Sequence, residues 1–254
     1  MIRWIRDETT ARRRLRPDLR LFLSVARATH ELIDQSIGTL GKSKLRPSAE
    51  VQARLLIQGS HQLRLTEIAA ESGYTLQALG LAATTYELAA AIGFIGTNDT
   101  RAREWSAHTD LAQSYPSTRA RKSAIEALLA AMGVDSANIP ERVAEAERTY
   151  QLFCMAKHGN PGLLRKYGAN VQKERLTLYH GPFGGPAIVW LAKFALFHSA
   201  RLLAGATITF ARDRANQLDE KANAALGKRA LRLLRSLVDA GKSLRGSFPR
   251  PGAA

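Results

Sequence analysis

The sequence contains a single cysteine, Cys154, among its 254 residues. An intrachain disulfide is therefore excluded, and a zinc site built from several cysteines is not expected. Residues 1–18 are rich in arginine and lack the apolar segment of a secretory signal. These two absences predict a protein of the reducing cytoplasm.

Several catalytic motifs are also missing. The chain has no phosphate-binding GxxxxGK[ST] loop, no GxGxxG, no HExxH and no GxSxG. Their absence disfavours nucleotide hydrolysis, zinc proteolysis and serine hydrolysis. His61, His108 and His198 do not form pairs at i, i+4 spacing, so we expect neither a metal site nor a cofactor.

Long alternating runs of β-branched residues are absent, and apolar residues recur at helical spacing instead. The sequence therefore predicts an all-α protein, a single bundle of seven to nine helices. Residues 76–96 are small and apolar nearly all round, so this helix should be buried at the centre. A membrane span is the rival interpretation, but Glu87 would then lie near the middle of the bilayer, where an ionised carboxylate is costly.

Two residues suggest boundaries within the chain, Pro17 and Gly227. The predicted order is a basic leader over 1–16, the helical bundle over 17–226, a basic amphipathic helix over 227–245 and a disordered tail over 246–254.

The formal net charge is +15, and two-thirds of the excess lies at the chain ends. Residues 1–20 hold seven arginines against three acids, and residues 228–254 hold seven basic residues against Asp239. Such ends favour RNA, DNA or anionic lipid as partners, and a solvated basic surface is the alternative. A membrane is the least favoured partner, because leucine and valine are the only bulky apolar residues of 228–245.

One candidate catalytic group surrounds a helix break at His158, Gly159, Asn160 and Pro161. The C-terminus of a helix stabilises a protonated imidazole, so His158 could exchange protons there. Tyr150 and Lys157 would lie nearby as polar partners. The alternative is a simple helix stop in which His158 caps carbonyl groups.

A second candidate group is Arg175 with His180. Acid–base chemistry on RNA needs a histidine that exchanges protons and a cation beside the phosphate. The R-x4-H spacing resembles the R-x4-6-H signature of HEPN-type ribonucleases. That resemblance implies a catalytic role for Arg175 and His180 near the start of a helix.

A third candidate is Glu87 with its neighbour Tyr86 in the central helix. A buried carboxylate needs a partner or a raised pKa, and a structural ion pair or hydrogen bond is the alternative to a ligand site. The partners considered for it are Arg64, Arg148, Lys157 and His158.

Three segments together resemble a bacterial all-helical domain family of unknown function. They are an Ala/Leu-rich helix carrying Tyr-Glu at 83–92, a charged helix at 100–108 and a helix-ending turn at 155–161. The arginine that usually precedes the glutamate in that family is replaced by Ala82, Ala83 and Thr84. The resemblance covers roughly residues 50–200; it implies an α-helical fold, for which a HEPN-like arrangement is one option, and no established activity.

Two functions therefore compete. The first is binding of nucleic acid, RNA or DNA, extending to a HEPN-like ribonuclease or defence toxin. The second is a non-catalytic helical scaffold that docks a protein partner. The sequence does not decide whether the protein is an enzyme, nor its oligomeric state.

Overall fold

A computed structural model describes residues 2–40, 45–108, 116–163, 169–172, 175–178, 186–213 and 220–247. Within these ranges the chain forms eight α-helices, a 3-10 turn, a helical segment at 161–163 and one β-hairpin. The prediction of an all-α bundle of seven to nine helices is confirmed. The helices are α1 (Ile2–Gly38), α2 (Pro47–Glu71), α3 (Thr75–Ile95), α4 (Asp99–Ala107), α5 (Thr118–Ala131), α6 (Ile139–Lys157), α7 (Pro186–Asp213) and α8 (Glu220–Gly246).

Helix α3 is the centre of the bundle, as its composition predicts. It packs chiefly against α2 and α7 and also against α5 and α6. A Cβ atom on Gly93 would lie 2.8 Å from the carbonyl oxygen of Ala124, so glycine permits the close approach of α3 and α5. The burial is not complete on every side, because the side chain of Glu87 is 39% exposed at the rim.

Helices α3 and α7 are both long and apolar enough to cross a membrane, judged by length and composition alone. In each, 61% of the apolar window is buried against the rest of the protein. Core helices of a bundle have the same property, so packing accounts for their apolar character.

Long helices run through Pro17 and Gly227, the two positions at which the sequence predicts boundaries. Helix α1 continues through Pro17, and the supposed leader places Ala11 and Leu15 in the core. Helix α8 begins at Glu220, and Leu226 is 4% exposed just before Gly227. The periodic burial of apolar residues thus outweighs the local helix-breaking preference of proline and glycine.

Two short strands, β1 (Ala169–Gln172) and β2 (Arg175–Leu178), form a hairpin. The strands are antiparallel, with Ala169 opposite Leu178 and Gln172 opposite Arg175. Of the predicted disordered tail, residues 248–254 lie outside the described residues, whereas Gly246 ends α8.

Candidate functional site

A buried polar contact joins α3, α5 and α6. The hydroxyl of Tyr86, which is fully buried, donates to Oε1 of Glu147 at 2.9 Å. Nε of Arg121 lies 3.4 Å from the same oxygen. Burial, and next the Glu147 carboxylate, raise the pKa of Tyr86. Tyr86 therefore stays protonated at neutral pH and acts as a hydrogen-bond donor.

A second polar contact adjoins the first and contains three of the predicted residues. Tyr150 donates to Oε1 of Glu87 at 2.9 Å, and Nζ of Lys157 lies 3.0 Å from Oε2. The rings of Tyr86 and Tyr150 stack with their centroids 4.5 Å apart. The Arg121 guanidinium lies 4.6 Å from the centroid of the Tyr150 ring. The structure thus brings Tyr86, Glu87, Tyr150 and Lys157 together; Glu147 and Arg121, which sequence reasoning missed, complete the group.

We call these six residues the polar seam. Each of its two carboxylates has a cation beside it, Glu147 with Arg121 and Glu87 with Lys157. The void beside Tyr86 has a volume of only about 10 Å³, no more than one water molecule requires. The seam therefore joins three helices, and the void beside Tyr86 is too small for a substrate.

The residues after α6 form a helix stop. The N–H of His158 donates to the carbonyl of Cys154 at 2.9 Å, and Gly159 has a φ of 63°. Oδ1 of Asn160 accepts from the N–H groups of Gly162 and Leu163 and so caps the next helical turn. The His158 side chain is exposed and lines neither of the two large cavities described below.

The other two predicted catalytic residues lie at the limits of the described chain. Arg175 is the first residue of β2, and its side chain is outside the described part. His180 is likewise outside the described residues. A position in a strand differs from the helix start that the HEPN resemblance implies for Arg175.

A groove of about 900 Å³ lies between α1 and α2, and sequence reasoning did not single it out. Arg13, Arg16, Arg20 and Arg27 line it from α1, and all four are exposed. Their spacing of three, four and seven residues places them along one face of a helix. Arg64 lines the groove from α2.

The arginines of this groove outnumber its carboxylates. Arg16 lies 3.4 Å from Glu71, and Arg64 lies 2.6 Å from Glu67. Among the described residues, Arg13, Arg20 and Arg27 have no hydrogen bond or ion pair. The groove therefore presents three unmatched guanidinium groups to solvent.

His30 and Glu67 also line the groove, and His30 lies between Glu67 and Ser60 of α2. Nδ1 of His30 lies 2.7 Å from the Ser60 hydroxyl, and its Nε2 lies 2.8 Å from Oε1 of Glu67. This order is that of a hydrolytic triad, but Ser60 is in the interior of α2, where helical hydrogen bonds occupy the backbone N–H groups. No backbone oxyanion donor adjoins Ser60 within the described helix, and the contacts of His30 with Ser60 and Glu67 join α1 to α2.

Fold and site together define an all-helical bundle with an arginine-lined groove between its first two helices. A comparison of the chain with protein-family models, curated proteins and solved structures found no significant match. The structure supports the all-helical architecture that the resemblance to a helical domain family implies.

Proposed function

We propose that this protein binds nucleic acid through the groove between α1 and α2. The observation that carries the proposal is the set of unmatched, exposed arginines on one helix face, Arg13, Arg20 and Arg27. Guanidinium groups bind phosphate through two parallel hydrogen bonds. Neutralising phosphates also releases condensed counterions, which drives association.

The length of this arginine face suits a short stretch of a nucleic-acid strand. At about 1.5 Å per residue, Arg13 and Arg27 are separated by about 21 Å along α1. One strand of a duplex advances about 3.4 Å per phosphate, so the face spans about six nucleotides. Contacts of this kind read the backbone and carry no sequence information. We therefore expect RNA and DNA to bind with little preference for sequence.

We also propose a more specific activity, that of a ribonuclease or toxin, which would depend on residues outside the groove. It rests on the R-x4-H spacing of Arg175 and His180 and on the exposed His158. Incubation of a labelled RNA with the protein and with the variants His158→Ala and His180→Ala tests it. Loss of cleavage in the His180 variant alone would support the HEPN-like role, and intact RNA with every protein would reject it. A nucleic-acid ligand also accords with the cytoplasmic location that we propose.

Binding is measured by the fluorescence anisotropy of labelled single-stranded RNA and DNA oligonucleotides at low salt. The groove variant replaces Arg13, Arg20 and Arg27 with glutamine. The control variant replaces Arg103, Arg119 and Arg148 with glutamine. These arginines are also exposed, and their substitution removes the same amount of positive charge. We expect the groove variant to bind about tenfold to a hundredfold more weakly than the control variant.

Two results would overturn the proposal. Equal loss of affinity in both variants would mean that affinity follows net charge and not the groove. Failure of the native protein to bind either oligonucleotide at low salt would favour the scaffold function, with a protein as the partner.

A further inference from the structure

A second cavity, of about 570 Å³, lies between α6, α7 and α8. Its wall on α7 is aromatic, with Trp190, Phe194 and Phe197. The Trp190 and Phe194 ring centroids are 4.9 Å apart, and the Trp190 indole is fixed by a 3.1 Å hydrogen bond to the Leu244 carbonyl. Volume and lining are those of sites for small organic molecules. The cavity shares no lining residue with the α1–α2 groove.

The charged groups of this cavity are unbalanced. Arg142, Arg201 and Arg245 line it, against the single carboxylate of Glu145. Arg142 and Glu145 pair with each other at 2.9 Å. Arg201 is partly buried and has no hydrogen bond or ion pair among the described residues. Burial lowers the pKa of the Arg201 guanidinium, and the nearby Glu145 carboxylate opposes this shift.

His198 adds no positive charge to this cavity at neutral pH. Its side chain lies among aromatic rings, 4.3 Å from Phe194 and 5.0 Å from Phe197 between centroids. Burial, and next the nearby Arg201, lower the pKa of His198 to about 3. The cavity therefore has an apolar body and two cations without a partner among the described residues, the partly buried Arg201 and the exposed Arg245.

We propose that this cavity binds an amphipathic organic anion, a carboxylate with an aliphatic or aromatic body. The carboxylate pairs with Arg201, and the apolar body lies against Trp190 and Phe194. A partly desolvated guanidinium without a partner is unfavourable, so an anion is favoured over a neutral or cationic molecule. The aromatic lining favours an apolar body over a free inorganic anion.

Isothermal titration calorimetry with three ten-carbon probes tests this proposal on the full chain. The probes are decanoate, decanol and decyltrimethylammonium, which differ in the charge of the head group. We expect decanoate to bind at least about tenfold more tightly than the other two. The variant Arg201→Met should weaken decanoate by about tenfold to a hundredfold and leave decanol unchanged, whereas Arg103→Met, on the exposed surface of α4, should change neither.

A second variant tests the cavity independently, in case Arg201→Met does not fold. Val238 lines the mouth of the cavity and is 56% exposed, so Val238→Trp should obstruct entry without disturbing the core. We expect it to abolish decanoate binding while circular dichroism shows native helix content. Decanoate binding that is unchanged in Val238→Trp, or equal affinity for decanoate and decanol, would overturn the proposal.

Discussion

The polar seam and the α1–α2 groove both place arginine and glutamate between helices, but they differ in charge balance. In the seam, Glu147 and Glu87 each have a cation beside them. In the groove, Arg13, Arg20 and Arg27 have no carboxylate partner among the described residues. Matched charges hold helices together, and unmatched charges remain available to an external anion.

The arginines of the two regions also differ in exposure. The side chain of Arg121 in the seam is 12% exposed, whereas that of Arg16 in the groove is 72% exposed. Changes in the seam should therefore alter stability, and changes in the groove should alter binding. The following predictions test this division, beginning with the largest expected effect.

Truncation of Tyr86 should be the most destabilising change. Tyr86→Ala removes a fully buried ring and its stacking on Tyr150, which should cost about 3–5 kcal/mol of unfolding free energy. Urea unfolding followed by circular dichroism measures the loss. Tyr86→Phe keeps the ring and should cost only about 1–2 kcal/mol, through the lost hydrogen bond to Glu147. Similar stabilities of Tyr86→Ala and the native protein would contradict a structural role for the seam.

Acid should destabilise the protein through His198, which the interior keeps neutral. The pKa of His198 falls from 6.5 to about 3 on folding because of burial. Below pH 6.5 the unfolded chain therefore binds a proton at this histidine that the folded chain does not bind. The contribution of His198 to the free energy of unfolding is complete above pH 6.5 and decreases as the pH falls toward 3. At pH 5 the loss should be about 2 kcal/mol.

Urea unfolding at pH 7.5 and pH 5 measures this difference. His198→Leu should reduce it by about that amount, and His61→Gln, a change of an exposed histidine on α2, should not. An unchanged difference in His198→Leu would show that other groups cause the loss.

Removal of one charge from the seam should have an effect that depends on burial. Glu147→Gln keeps an acceptor for Tyr86 but leaves Arg121 without its carboxylate, which should cost about 1–3 kcal/mol. Lys157→Met breaks a pair whose side chains are 35% and 39% exposed, and should cost less than about 1 kcal/mol. Thermal or urea unfolding of the two variants should rank them in that order. The reverse order would mean that the half-exposed pair of Lys157 and Glu87 contributes more to stability than the buried pair of Arg121 and Glu147.

The triple groove variant should change stability least. Its three arginines are exposed and make no ion pairs in the described chain. Each substitution should therefore change the free energy of unfolding by no more than about 0.5 kcal/mol relative to the native protein. A much larger loss would show that these arginines support the fold, and reduced nucleic-acid binding by the variant would then lose its meaning.

Composition alone was enough to predict the centre of the fold. Residues 76–96 are apolar nearly all round, which favours a core helix, and Glu87 disfavours the rival membrane span; Lys157 was among the partners considered for Glu87. Glu147 and Arg121 could not be found in this way, because contacts across 61 and 26 residues depend on how α5 and α6 pack. The aromatic cavity depends in the same way on the packing of α6, α7 and α8.

The groove was missed for a different reason. Proline disfavours the interior of a helix, so the sequence predicts a boundary at Pro17 that divides the arginine face of α1 between a leader and a helix. Ala11, Leu15 and Leu19 recur every four residues through that point and are buried. Continued through Pro17, the same period would have placed Arg13, Arg16, Arg20 and Arg27 on one face.

The salt dependence of nucleic-acid binding tests the central claim most directly. The slope of log affinity against log salt concentration reports the number of phosphates neutralised, at about 0.7–0.9 per contact. We predict that the groove variant has a slope shallower than that of the native protein by about 2–3, and that the slope of the control variant is unchanged. Equal slopes for the native protein and the groove variant would contradict the account, because the unmatched arginines would then contact no phosphate.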